Sequence, residues 1–142
     1  MRAGTENIYG IVGFAKAFEM AMAAYENDSA YIGTLKYYMH EQLKKNVPGI
    51  GFNGDVFGRS LYTVLSVSFP KTERSEMILF NLDINKICAS GGSACTSGAE
   101  AGSHVIRAIN NNPNQITVRF SFSKHNTKEQ IDAVVEKLKE LV

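Results

Sequence analysis

The stretch Ala89-Ser-Gly-Gly-Ser-Ala-Cys-Thr-Ser-Gly98 constrains this chain more than any other. It holds three glycines, three serines and no large apolar side chain. Such a segment packs no core and has weak conformational preferences. It follows a short apolar segment, Asn85-Lys-Ile-Cys88, and precedes a helical pattern over residues 103–109. Cys95 therefore sits on a predicted tether, and a thiol on a tether can meet one partner and then swing to another. By residue type alone, a single cysteine is more often a small buried hydrophobe than a reactive thiol. No Lys, Arg or His between residues 89 and 102 acts to lower its pKa.

The segments on either side carry clear periodicity. Ile8, Ile11, Val12, Ala15, Phe18 and Met22 follow the spacing of one buried helical face. Thr5 is the expected N-cap, and Glu6 suits the first turn. Asn27-Asp28-Ser29 is expected to interrupt or kink this helix. A second run then carries Ile32, Leu35, Met39 and Leu43, with Lys44 and Lys45 in its last turn and Val47-Pro48-Gly49 as its stop.

A β region follows. Residues 50–53 form a short strand candidate. Leu61, Leu65, Val67 and Phe69 share one face of the next strand, and Tyr62, Ser66 and Ser68 the other. Residues 75–84 read as a helix. Ile116, Val118, Phe120 and Phe122 alternate with Thr117, Arg119, Ser121 and Ser123, a half-buried strand. Thr127-Lys-Glu-Gln130 is a capping box, and the helix it opens puts Ile131, Val134, Val135, Leu138 and Leu141 on one stripe. Helices, then a small sheet with helices on it, make an α+β fold.

With 142 residues, 44% of them hydrophobic, the chain can bury one domain core. A net charge of +1 sets up no strong field for nucleic acid or an anionic membrane. No apolar run is long enough to span a bilayer. Met1-Arg-Ala-Gly-Thr-Glu-Asn7 has no signal-peptide core. Cys88 and Cys95, with six residues between them, match no common zinc spacing, so no metal is expected. Two cysteines make no disulfide framework, and a reducing, cytoplasmic location is the default.

Three ordered motifs carry a resemblance. Ser-Gly-Gly-Ser-Ala-Cys-Thr-Ser-Gly resembles the active-site loop of cysteine desulfurases, pyridoxal-phosphate (PLP) enzymes of the class V aminotransferase family, in the group with a long cysteine loop. Arg2-Ala-Gly-Thr-Glu-Asn-Ile8 resembles the family's upstream Arg-(Ala/Ser)-Gly-Thr segment. Thr117-Val-Arg-Phe-Ser-Phe122 resembles its downstream Arg-Phe-Ser strand. The resemblance implies the small C-terminal domain of a fold-type-I PLP enzyme. Residues 1–27 would be a helix connecting from a large PLP domain, and residues 28–142 the small domain carrying the cysteine loop 89–102.

The resemblance also implies roles. Cys95 would be the catalytic thiolate that takes sulfur from L-cysteine as a persulfide, leaving L-alanine, with PLP as electron sink. Arg119 would hold the substrate carboxylate through its planar fork. Thr5 would reach the PLP phosphate of a neighbouring subunit in a homodimer. Sulfur would pass to acceptor proteins such as an Fe–S cluster scaffold or a tRNA-thiolation relay. The family's Schiff-base lysine, pyridine-pairing aspartate and ring-stacking histidine precede the Arg-Gly-Thr segment and have no counterpart in this sequence. So no PLP is expected on this stretch alone, and no turnover of L-cysteine by it.

Other residues read more plainly. His104 and His125 are expected at the surface or capping, Lys124 in solvent, and Cys88 in the core. Two alternatives stay open: a stand-alone persulfide carrier that takes sulfur on Cys95 from a separate donor, and another class V enzyme such as a selenocysteine lyase.

Overall fold

The computed structural model describes residues 4–91, 103–109 and 112–142. The helix α1 runs unbroken from Ile8–Asn46. Strands β1 (Gly51–Phe52) and β2 (Val64–Pro70) follow. A 3-10 turn (Ser75–Met77) leads into α2 (Ile78–Ile84). Then come α3 (His104–Ile109), β3 (Gln115–Ser121) and α4 (Lys128–Leu141). The strands form an antiparallel sheet in the order β1-β2-β3, with Leu65 opposite Phe120 and Ser66 opposite Arg119.

The sheet has two chemically different faces. Leu65, Val67, Val118 and Phe120 point toward the helices, where Leu35, Met39 and Leu43 of α1, Leu82 of α2 and Leu138 of α4 complete one core. Each such side chain contributes about 1.5–3 kcal/mol by leaving water. The opposite face carries Ser66, Thr117 and Arg119. The expected α+β architecture stands, as do the alternation of β3 and the capping box of α4. There Thr127 accepts from the Gln130 N–H, and the Gln130 side chain accepts from the Thr127 N–H.

Several expectations fail for identifiable reasons. Asn27-Asp28-Ser29 does not break α1. The Ser29 hydroxyl donates to the Glu26 carbonyl at 3.1 Å, and Asp28 pairs with Lys124 at 2.9 Å. Both polar groups are thus satisfied from a helical backbone. The N-cap is Asn7, whose side chain accepts from the Gly10 N–H at 3.1 Å, and not Thr5, which lies exposed before the helix.

The face over residues 8–22 is exposed, not buried. Ile8 is 62% and Phe18 59% accessible, whereas Leu35 and Leu43 on the same helix are 0%. The same helical spacing serves both halves, but α4 and the sheet cover only the second. Leu61 is exposed because β2 starts at Val64.

Cys88 is exposed rather than in the core. The turn at Asn85 and Lys86, with Lys86 at φ +62°, points the next side chain, Ile87, toward the core and leaves Cys88 outward. No helix among the described residues is long and apolar enough to cross a membrane.

Candidate functional site

The alternation of β3 that sends Val118 and Phe120 into the core sends Arg119 outward, where it is exposed. Antiparallel register sets Ser66 of β2 beside it. Beyond Ser66, the Asn53 N–H donates to the Ser66 carbonyl at 3.0 Å. The Asn53 side-chain amide donates to the Ser66 hydroxyl at 3.2 Å and the Thr117 hydroxyl at 3.3 Å. On the other side of β3, Ser90 and Arg119 form an isolated antiparallel bridge. Asn53, Ser66, Arg119 and Ser90 therefore make one row across the sheet.

Two clefts share Asn53, Ser66 and Arg119. One, of about 600 Å³, is walled by Lys36 and by Asp55, Arg59 and Ser60 of the loop over residues 54–61. The other, of about 300 Å³, lies under α3 and is closed by Ser103, Val105, Ile106 and Ile109. None of the ion pairs among the described residues involves Arg119. Among the described residues, then, nothing competes with a ligand carboxylate for its guanidinium.

Cys95 lies outside the described residues, but both flanks of its segment reach Arg119. Ser90 joins the Arg119 backbone, and Ser103 borders the smaller cleft. Thr5 borders neither cleft. His104 and His125 are exposed, as expected for surface positions, and Lys124 is half-exposed in its pair with Asp28. Cys88 opens onto a separate cavity of about 490 Å³ beside Met39, Phe120 and Ile131.

Lys36 escapes a reading of the sequence. It is 5% exposed, and its Nζ donates to the Ser60 hydroxyl at 3.0 Å and the Leu61 carbonyl at 2.9 Å. Burial pushes its pKa below the usual lysine value, and nearby Asp55 partly opposes this. A signal was available, since residue 36 falls on the stripe of Ile32, Leu35, Met39 and Leu43. Lys36 is the one lysine bordering the Arg119 clefts among the described residues, and its amine is already bonded. Neither cleft has an aromatic ring to stack on a pyridine. The described residues therefore do not by themselves fit PLP.

Comparison with known proteins converges on one group. The sequence model of the family described as aminotransferase class-V matches residues 1–134. The chain is 39% identical over 143 residues to a cysteine desulfurase of Trichormus azollae, covering 99% of this chain and 35% of that protein. It is 36% identical over 143 residues to the cysteine desulfurase NifS of Azotobacter vinelandii, again 99% of this chain and 35% of the relative. A NifS-like protein from Rickettsia africae superposes with a TM-score of 0.76 at 25% identity, over 99% of this chain and 36% of that structure. Another NifS-like protein gives 0.75 at 28% identity, over 98% and 34%. The chain thus spans about a third of the length of these relatives.

Proposed function

This chain belongs to the class-V aminotransferase family, whose members are PLP-dependent, and from that premise we propose that it is the C-terminal part of a cysteine desulfurase. Cys95 would take the sulfur and Arg119 would hold the substrate carboxylate. The observation that carries this reading is the Ser90–Arg119 bridge. It joins Arg119, exposed at the two clefts, through the backbone to the base of the segment that bears the cysteine. Chain length keeps the Cys95 Cα within about 18 Å of the Ser90 Cα.

In the proposed reaction the Cβ–Sγ bond of L-cysteine breaks and an S–S bond forms to Cys95. The carbon keeps the bonding electron pair and gains a proton, so L-cysteine plus the Cys95 thiol becomes L-alanine plus the Cys95 persulfide. Arg119 would fix the amino acid by its carboxylate through paired N–H donors. Because the described clefts offer PLP no seat, the cofactor would be held by protein beyond these residues.

Finer parts of the reading rest on resemblance. Thr5, exposed ahead of α1, would meet the PLP phosphate of a neighbouring subunit in a dimer. Residues 1–27 would connect to a large domain and residues 28–142 form the small one. The start of burial on α1 at Ile32 supports that division. The persulfide would serve Fe–S cluster assembly or another sulfur acceptor in the cytoplasm.

The test begins with the coding DNA upstream of Met1. An open frame there should encode a PLP-binding lysine. Its full-length product should convert L-cysteine to L-alanine and lose that turnover on Cys95→Ala. The 142-residue chain with added PLP should not turn over. A stop codon upstream, together with a sulfur adduct on Cys95 formed from a separate donor without PLP, would replace the enzyme by a persulfide carrier.

A further inference from the structure

A lysine buried to 5% exposure is unusual, because an ammonium loses its hydration on burial. Lys36 compensates with two hydrogen bonds, to the Ser60 hydroxyl at 3.0 Å and the Leu61 carbonyl at 2.9 Å. Both acceptors sit at the end of the loop over residues 54–61. Methionine or leucine would fill that place on the apolar stripe of α1 without the desolvation cost. A buried cation there calls for a reason other than packing.

The loop it holds is the wall of the larger Arg119 cleft. It leaves β1 through Gly54 at φ +78°, a backbone region that favours glycine. The Asp55 carboxylate accepts from the N–H groups of Gly58 at 2.8 Å and Arg59 at 3.2 Å. The Ser60 hydroxyl donates to the Val56 carbonyl at 2.9 Å. These bonds shape the loop internally, but none ties it to the rest of the fold. Among the described residues it is tied to α1 by Lys36 from beneath and by Phe57 against Tyr37 and His40, with ring centroids 5.6 and 4.7 Å apart. Val56 packs against the core, and the Val64 N–H donates to the Leu61 carbonyl at 3.4 Å.

Resting on the Arg119 reading above, we propose that Lys36 is a positioning residue, whose buried amine fastens the 54–61 loop to α1 and so sets the wall that faces the substrate carboxylate held by Arg119. It does not touch substrate. It keeps Arg59 and Asp55, charged groups of that wall, at a set place in the cleft that Arg119 also lines.

The 142-residue chain itself provides the test. Amide exchange is followed by NMR at Gly58, Arg59 and Ser60, with Val67 and Val118 as core references. L-Alanine, an unreactive carboxylate probe, is titrated while the Arg119 side-chain N–H signal is watched. Lys36→Met should speed exchange in the loop about tenfold. It should leave the core references unchanged and raise the L-alanine midpoint severalfold. Lys36→Arg, which keeps a donor in place, should restore both.

Unchanged loop exchange in Lys36→Met overturns the proposal, and so does altered exchange without any change in the L-alanine midpoint. If Lys36→Met does not fold, Ser60→Ala is read by the same two measurements. It removes one acceptor of Lys36 together with the loop's own bond to the Val56 carbonyl, and unchanged loop exchange there again overturns the proposal. An Arg119→Ala chain that titrates with L-alanine like the parent would sink the substrate reading. Loop exchange in Lys36→Met would still judge Lys36.

Discussion

The backbones of Ser90 and Arg119 exchange two hydrogen bonds, Arg119 N–H to Ser90 carbonyl at 2.7 Å and Ser90 N–H to Arg119 carbonyl at 3.1 Å. Residue 119 thereby presents its side chain to the clefts and its backbone to the base of the cysteine segment. The next residue, Gly91, makes the close approach possible. A Cβ there would meet the Thr117 carbonyl at 3.3 Å and the Leu79 side chain at 2.6 Å.

Gly91→Val should therefore open this bridge. Leu79 can swing aside for a methyl group, but a branched side chain also presses on the β3 backbone. Exchange at the Ser90 and Arg119 N–H groups should rise about tenfold, equivalent to about 1.4 kcal/mol. The Val67 and Val118 amides should stay protected, and equal protection at all four positions in the variant would refute the clamp.

Replacing Arg119 separates charge from geometry. Arg119→Lys keeps a cation but loses the planar fork, so in a complete enzyme KM for L-cysteine should rise about tenfold or more with a smaller change in kcat. Arg119→Ala should do worse on the same measure. Stability should hardly change, because the side chain is exposed and outside the core. A KM equal to wild type in the lysine variant would mean that the substrate carboxylate lies elsewhere.

The two halves of α1 should differ in protection. In a protein most helical stability comes from packing an apolar face and not from propensity, and the first half of α1 lacks such packing. Amides of residues 12–26 should exchange at least about a hundredfold faster than those of residues 35–43 in the 142-residue chain. Phe18, 59% exposed, should tolerate Phe18→Lys with no loss of stability, whereas Leu35→Ala at 0% exposure should cost about 2–5 kcal/mol. Thermal unfolding of the two variants checks both.

The start of α4 gives a pH signature. The Thr127 hydroxyl, then the Glu129 N–H, hold the Glu129 carboxyl below the usual carboxylate value. The folded chain thus binds fewer protons here than the unfolded one as the pH falls toward that range. The stabilisation is complete above the unfolded pKa and lost as pH drops through the folded one. Thr127→Ala should cost about 1 kcal/mol at neutral pH and flatten this acid dependence. Denaturant midpoints at neutral and acid pH measure both.

Local pattern was enough for much of this molecule. The alternation from Ile116 to Phe122, the Thr127 capping box, the stop at Val47 and the stripe of α4 are each set by neighbours a few residues apart. Side-chain periodicity and capping act at that range, so the elements and the outward aim of Arg119 were legible in the chain itself.

Only the tertiary structure decided which apolar stripe is covered. Residues 8–22 and 32–43 follow the same spacing, yet only the second meets a sheet and a helix. It also turned Cys88 outward by one residue's alternation past Ile87 and kept α1 continuous by giving Asp28 a partner 96 residues away. It brought Asn53, Ser66, Arg119 and Ser90 into one row and buried Lys36 beneath a loop. Each depends on strand register or on packing between distant segments, and periodicity carries no information about what lies across a face.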